Sequence, residues 1–196
     1  MRKTSKAIRQ ISTSDVPPQW SRRRFLGSLA LTLPSAVLLR PTLAQAKAEA
    51  ARSLSFYHTH TGEKLALTYY EQGDYHQDAL AEANRFLRDF RTGEEHPIDH
   101  GLLDILHGIR RATGSNGRFE VISGYRSPKT NAALRSKSNG VAKRSLHMQG
   151  RAIDVRLTGV DTAQLRKAAL ALKGGGVGYY PKPRFVHLDT GRVRQW

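Results

Sequence analysis

Cysteine is absent from all 196 residues, which excludes disulfide cross-links, thiolate-held zinc, iron–sulfur clusters and a thiol nucleophile. Acidic residues are scarce, with 16 Asp and Glu against 32 Lys and Arg, for a formal net charge of +16. A balance this basic points first to a polyanion or an anionic surface. Aromatic residues make up only 8%, and no zinc-finger spacing, helix-turn-helix pattern or aromatic-rich sheet signature accompanies the charge, which argues against nucleic acid. Glycine, proline and apolar content are too ordinary for a collagen-like or wholly disordered chain. The length favours one globular domain.

Much of the positive charge sits at the start. Ser21-Arg22-Arg23-Arg24-Phe25-Leu26-Gly27 leads into an apolar stretch over residues 25–39, broken by Gly27 and Pro34, and then into Ala44-Gln45-Ala46. A basic region, an apolar core too short to span a bilayer comfortably and a small-x-small step occur in the order of an export signal, and the arginine pair resembles a twin-arginine signal. Cleavage after Ala46 is expected, giving a signal over residues 1–46 and a domain over 47–196 with no stable membrane insertion. Eight of the basic residues and one acidic residue precede residue 47, so the remaining 24 against 15 give the domain a net charge of +9.

Within it, residues 54–58 and 65–70 flank Thr61-Gly62 as a β-hairpin. Apolar residues at helical spacing predict helices over 75–91 and from Asp99 to Gly114. A strand is expected over 119–123, a short helix over 131–137, and a strand over 151–157 with Ile153, Val155 and Leu157 on one face and Asp154 on the other. Asp161 should cap a helix through 173 that ends in a glycine run. Residues 177–180 and 185–188 then make a closing strand pair. The whole reads as α+β, one domain with an antiparallel sheet and helices packed against it.

Two of the eight histidines stand out. His147 lies in Ser145-Leu146-His147-Met148-Gln149-Gly150-Arg151-Ala152-Ile153-Asp154, where Gly150 permits a tight turn before the strand that carries Asp154. His187 lies in Phe185-Val186-His187-Leu188-Asp189, where period-two alternation puts it on a face with Asp189. Should this strand pair antiparallel beside 151–157, Asp154 and His187 point into one cleft. Two imidazoles and a carboxylate suit one Zn²⁺ ion with a fourth position open to water, the arrangement of a catalytic site. The spacing His-x6-Asp is weak alone; the flanking Ser and Gly-x-Ala-x-Asp, with the late His-x-Asp, make it specific.

These motifs resemble the zinc D-Ala-D-Ala carboxypeptidase superfamily, whose fold is shared with lysostaphin-type peptidases and the hedgehog signalling domain, and within it the murein endopeptidases. His60-Thr61-Gly62-Glu63 and Ser123-Gly124-Tyr125-Arg126-Ser127-Pro128 extend the likeness over nearly the whole domain. The resemblance implies a periplasmic hydrolase of peptidoglycan cross-links, with His147, Asp154 and His187 as zinc ligands and Arg126 on the substrate carbonyl oxygen. A guanidinium aimed at a developing oxyanion is a strong electrostatic catalyst, in keeping with that role.

Relatives with an acidic residue three positions before the last histidine have no counterpart here, where Arg184 stands. Asp189 is the candidate general base, and orienting His187 from behind is an equally good account; Glu63 is another acidic group that folding could bring in. Ser145 either bonds a ligand or caps the turn. Tyr125 and His60 are candidates for the substrate groove, or for core and loop. Peptidoglycan stem peptides, with their free carboxylates, are the expected partner of a monomer. The competing readings are a noncatalytic peptidoglycan-binding domain on the same fold, a D-Ala-D-Ala carboxypeptidase, and a metal-free basic anion-binding module.

Overall fold

A computed structural model describes residues 50–196; the expected signal over 1–46 and its cleavage step lie outside the described residues. The chain runs β1 (Arg52–His58), β2 (Lys64–Glu71), β3 (Asp74–Tyr75), α1 (Gln77–Phe86), α2 (His100–Thr113), β4 (Phe119–Ser123), α3 (Pro128–Arg135), a single 3-10 turn (Leu146–Gln149), β5 (Ala152–Leu157), α4 (Thr162–Leu172), β6 (Gly176–Tyr180), β7 (Phe185–Asp189) and β8 (Arg194–Gln195). All the strands join one sheet in the order β3-β2-β1-β4-β5-β7-β6-β8. The architecture is α+β. The sheet is mixed rather than wholly antiparallel, because β1–β4 and β6–β8 pair parallel.

The core follows from alternation. Leu54 and Phe56 of β1, Phe119 and Val121 of β4, and Ile153, Val155 and Leu157 of β5 are buried in one cluster with Leu102, Leu103, Leu106 and Ile109 of α2 and Leu165 of α4. Each such side chain stabilises the fold by about 1.5–3 kcal/mol through area removed from water. In α2 the Asp99 carboxylate accepts from Gly101 N at 2.9 Å, and Gly114 closes the helix at φ 64°. Asp161 accepts likewise from Ala163 N, and Lys173, in the left-handed region, stops α4 one residue before the glycine run. Among the described residues no helix is long and apolar enough to cross a membrane.

Two helices depart from the expected bounds. α1 ends at Phe86, not 91, because the next residues turn around Asp89, whose backbone and carboxylate bond Glu94, Gly93, Arg91 and Ser127. α3 begins at Pro128, not 131: Ser127 Oγ accepts from Thr130 N at 3.2 Å, and proline occupies the first turn, where its missing N–H costs nothing.

Candidate metal centre

β5 and β7 pair antiparallel with Asp154 directly opposite His187. Ile153 and Val155 point into the core, so Asp154 emerges on the other face. The 3-10 turn delivers His147 to the same place. Its last step is Gly150 at φ 65°, where a Cβ would collide with the Pro97 carbonyl oxygen, so two separate constraints demand glycine.

Asp154 Oδ1 lies 2.9 Å from His187 Nδ1, Asp154 Oδ2 lies 3.3 Å from His147 Nε2, and the two ring nitrogens are 3.3 Å apart. Nitrogen and oxygen ligands about 2.0–2.1 Å from a tetrahedral zinc are separated by about 3.3–3.4 Å, so the donor set fits that ion. The second nitrogen of each ring is already committed. His147 Nδ1 is 2.7 Å from the Gly124 carbonyl oxygen, which can only accept, so the proton sits on Nδ1 and the Nε2 lone pair faces the cleft. His187 Nε2 is 3.1 Å from Asp189 Oδ2, which leaves Nδ1 inward.

The electrostatics also call for a cation. Burial works against a charged His187, yet hydrogen bonds and attraction from Asp154 and Asp189 raise its pKa to about 9. Burial likewise works to raise the Asp154 pKa, and His147 and His187 together hold it well below the usual carboxylate range.

Asp189 is fully buried, and both its oxygens are engaged. Oδ1 accepts from Gly176 N, Gly191 N and Arg194, while Oδ2 accepts from Arg194 at 2.7 Å and faces His187. Trp196 completes the surround: its ring centroid is 5.3 Å from that of His187, its Nε1–H donates to Tyr180 Oη at 3.0 Å, and its backbone is bonded to Val177 and Tyr179.

Arg126 enters from the loop after β4. A register shift between Val121 and Ser123 brings Ser123 opposite Asp154 and swings the following loop toward the site. Arg126 N donates to the His147 carbonyl at 3.1 Å, which ties the loop to the 3-10 turn. The side chain is largely buried. One guanidinium nitrogen stands 3.7 Å from Asp154, its other contacts to Ser123 and Asn131 are 3.4 and 3.5 Å long, and Nε has no partner among the described residues. Burial is the main cause of a lowered Arg126 pKa, with Asp154 opposing it.

Asp89 anchors this loop, and nothing in its local sequence announces that. Its carboxylate is 1% exposed and accepts from Ser127 N at 2.9 Å and Arg91 N at 3.0 Å. Burial alone would raise its pKa, but the hydrogen bonds from Thr130, Ser127 and Arg91 more than offset this and lower it. A folded-state pKa below the unfolded value of about 3.9 means stability present at neutral pH and lost as pH falls through the folded value. In Asp89→Asn, an amide N–H would oppose a backbone N–H. The variant should lose about 1–3 kcal/mol at pH 7, and urea titrations should find the gap from the parent narrowing below about pH 4. A gap independent of pH would sink this account.

The cleft beside the three ligands encloses about 420 Å³ and includes Arg126, Arg144, Ser145, Tyr180, Phe185, Arg194 and Trp196 in its lining. Ser145 starts the 3-10 turn through its backbone carbonyl, and its hydroxyl makes no cap bond. Tyr125 does not line the cleft; its ring is buried and stacked on His96 at 4.8 Å. His60 stacks on Phe90 at 4.3 Å, and Glu63 pairs with Arg88, both on or beside the β1–β2 hairpin and outside the lining. Trp196 and Arg194 are cleft residues that sequence reasoning did not select, since only the pairing of β8 with β6 brings them there.

Comparison with known proteins places the chain in a family. A family model described as peptidoglycan L,D-endopeptidase MepK, in a peptidase M15 group, matches residues 46–196. The chain is 40% identical over 176 residues to peptidoglycan L,D-endopeptidase MepK of Escherichia coli K12, covering 90% of this chain and 97% of that protein. It is 37% identical over 177 residues to a probable protein of the same name from Haemophilus influenzae, covering 90% and 95%.

Proposed function

This chain belongs to the peptidoglycan L,D-endopeptidase MepK family, and from that membership we propose that it is a peptidoglycan endopeptidase, exported by the twin-arginine route to the periplasm, where it works as a monomer with one zinc ion on His147, Asp154 and His187. The observation that carries the metal reading is the convergence of three ligand atoms within 4.8 Å of one another, with the outer nitrogens of both rings already bonded. Zinc held there supplies Lewis acidity toward a peptide carbonyl and acidifies water beside it toward neutral pKa.

The protein's own groups account for the rest. The Gly124 carbonyl fixes the His147 tautomer, and Asp189, clamped by Arg194 and two backbone amides, fixes His187. Arg126, largely buried beside Asp154, donates to the carbonyl oxygen as charge grows on it. Of the two roles open to Asp189, orienting His187 has the better support, because a carboxylate with both oxygens engaged and no exposed surface has no reach to solvent in the cleft. Tyr180, Phe185 and Trp196 give the substrate an aromatic wall.

The deciding experiment incubates the domain over 47–196 with defined cross-linked muropeptides after chelation, with and without restored zinc, and reads products by mass. Cleavage at the cross-link only after zinc is restored is expected. Cleavage surviving complete metal removal would overturn the zinc reading, and binding without release of muropeptides would favour the noncatalytic alternative.

A further inference from the structure

Three arginines line the cleft, and two of them stand beside carboxylates. Arg194 gives two hydrogen bonds to Asp189, at 2.9 and 2.7 Å. Arg126 is buried within 3.7 Å of Asp154. Arg144 is different: it is exposed, and among the described residues no carboxylate, carbonyl or ring partners its guanidinium. Asp154 is the one side-chain carboxylate in the lining, and it belongs to the metal group. Arg144 is therefore the cleft arginine with no carboxylate beside it.

Arg144 also hangs from a fixed point. The next residue, Ser145, is buried and starts the 3-10 turn by accepting from Met148 N at 3.1 Å, and His147 stands three positions on. An arginine at the rim of the metal group, on the backbone that positions a ligand, suits bidentate recognition of a planar anion next to the scissile bond. The proposed substrate offers one. Diaminopimelate carries an amine and a carboxyl on each of two carbons, so a cross-link made through one amine leaves a free carboxylate on the carbon bonded to the scissile nitrogen.

We propose that Arg144 is the carboxylate-recognition site of this cleft and binds the free carboxylate on the leaving-amine side of the cross-link. The assignment rests on the peptidoglycan reading above. The ion pair forms in ground state and transition state alike, so its loss falls on KM and leaves kcat nearly unchanged. A substrate whose carboxylate is capped as a carboxamide loses the same contact.

The test uses two cross-linked muropeptides that differ only in carboxylate against carboxamide at that carbon, with the parent protein, Arg144→Ala and Arg144→Lys. For the parent, kcat/KM should be about 10–100-fold lower on the amide, as befits a charge-assisted hydrogen-bonded pair. Arg144→Ala should lose that factor on the free acid and treat both substrates alike, and Arg144→Lys should recover part of the discrimination. An Arg144→Ala protein that still discriminates like the parent overturns the proposal. Cleavage of neither substrate by the parent would remove the hydrolytic reading and leave the binding question open to calorimetry on the same peptides. There the parent should hold the free acid at least about tenfold more tightly and Arg144→Ala should hold both equally; equal affinities in the parent would overturn the assignment.

Discussion

Replacing His187 with alanine should abolish both metal retention and hydrolysis. The expected loss of activity is at least about 10³-fold, equivalent to roughly 4 kcal/mol of transition-state stabilisation. The side chain is the junction of the site: Nδ1 meets Asp154 at 2.9 Å and His147 at 3.3 Å, while Nε2 meets Asp189 at 3.1 Å. No neighbouring histidine or carboxylate of the cleft lining stands ready to replace it. The fold should survive, because β7 is anchored by Val186 and Leu188, both buried in the core, and by pairing with β5 on one side and β6 on the other. Metal analysis, circular dichroism and muropeptide mass spectra together check the prediction. An alanine variant that keeps stoichiometric zinc and cleaves at the parental rate would falsify the three-ligand assignment.

Arg126→Ala should lower kcat by about 10²–10³-fold, the loss seen when a preorganised oxyanion donor is removed. Ground-state binding should change little, so the effect should appear in kcat far more than in KM. Two structural features support that split. The guanidinium has only long contacts, of 3.4–3.7 Å, to Ser123, Asn131 and Asp154, and its Nε is buried without a partner. Such a group is held in place without being satisfied, and a developing negative charge would satisfy it. Arg126→Lys should rescue poorly, because one ammonium cannot present the same planar fork. Steady-state kinetics on a defined cross-linked peptide, with zinc content matched between variants, decide the matter. A pure KM effect would move Arg126 from the reacting carbonyl to substrate binding.

Much of the scaffold was visible in local patterns. The alternation over β5 separates Ile153, Val155 and Leu157 from Asp154, and the four apolar positions of α2 between Asp99 and Gly114 are buried together. These signals are short-range, and nothing distant overrides them. The early end of α1 is of another kind: helical periodicity continues to Phe90, but Asp89 leaves the helix to receive Ser127 N, 38 positions away. Periodicity cannot register a hydrogen bond of that separation. The start of α3 is locally signalled by Ser127-Pro128, a cap followed by proline.

The site divides along the same line. Chemical type and spacing single out His147, Asp154 and His187, the family resemblance adds Arg126, and the fold brings the four together. The status of Asp189 depends on what surrounds it: Arg194 and the amides of Gly176 and Gly191 occupy the oxygens that a base would need free. Tyr125 and His60 carry side chains suited to a groove, and their ring partners, His96 and Phe90, are visible only in three dimensions.

Gly178 lies opposite His187 in the β6–β7 pairing, and a methyl group added there would stand 2.7–2.9 Å from three atoms of the Trp196 indole. The position of that indole, and with it the aperture of the cleft, is thus governed by a missing atom on the adjacent strand. Variation at a residue that never meets substrate can widen or narrow the entrance, so breadth of substrate acceptance in related chains is open to change without touching the chemistry.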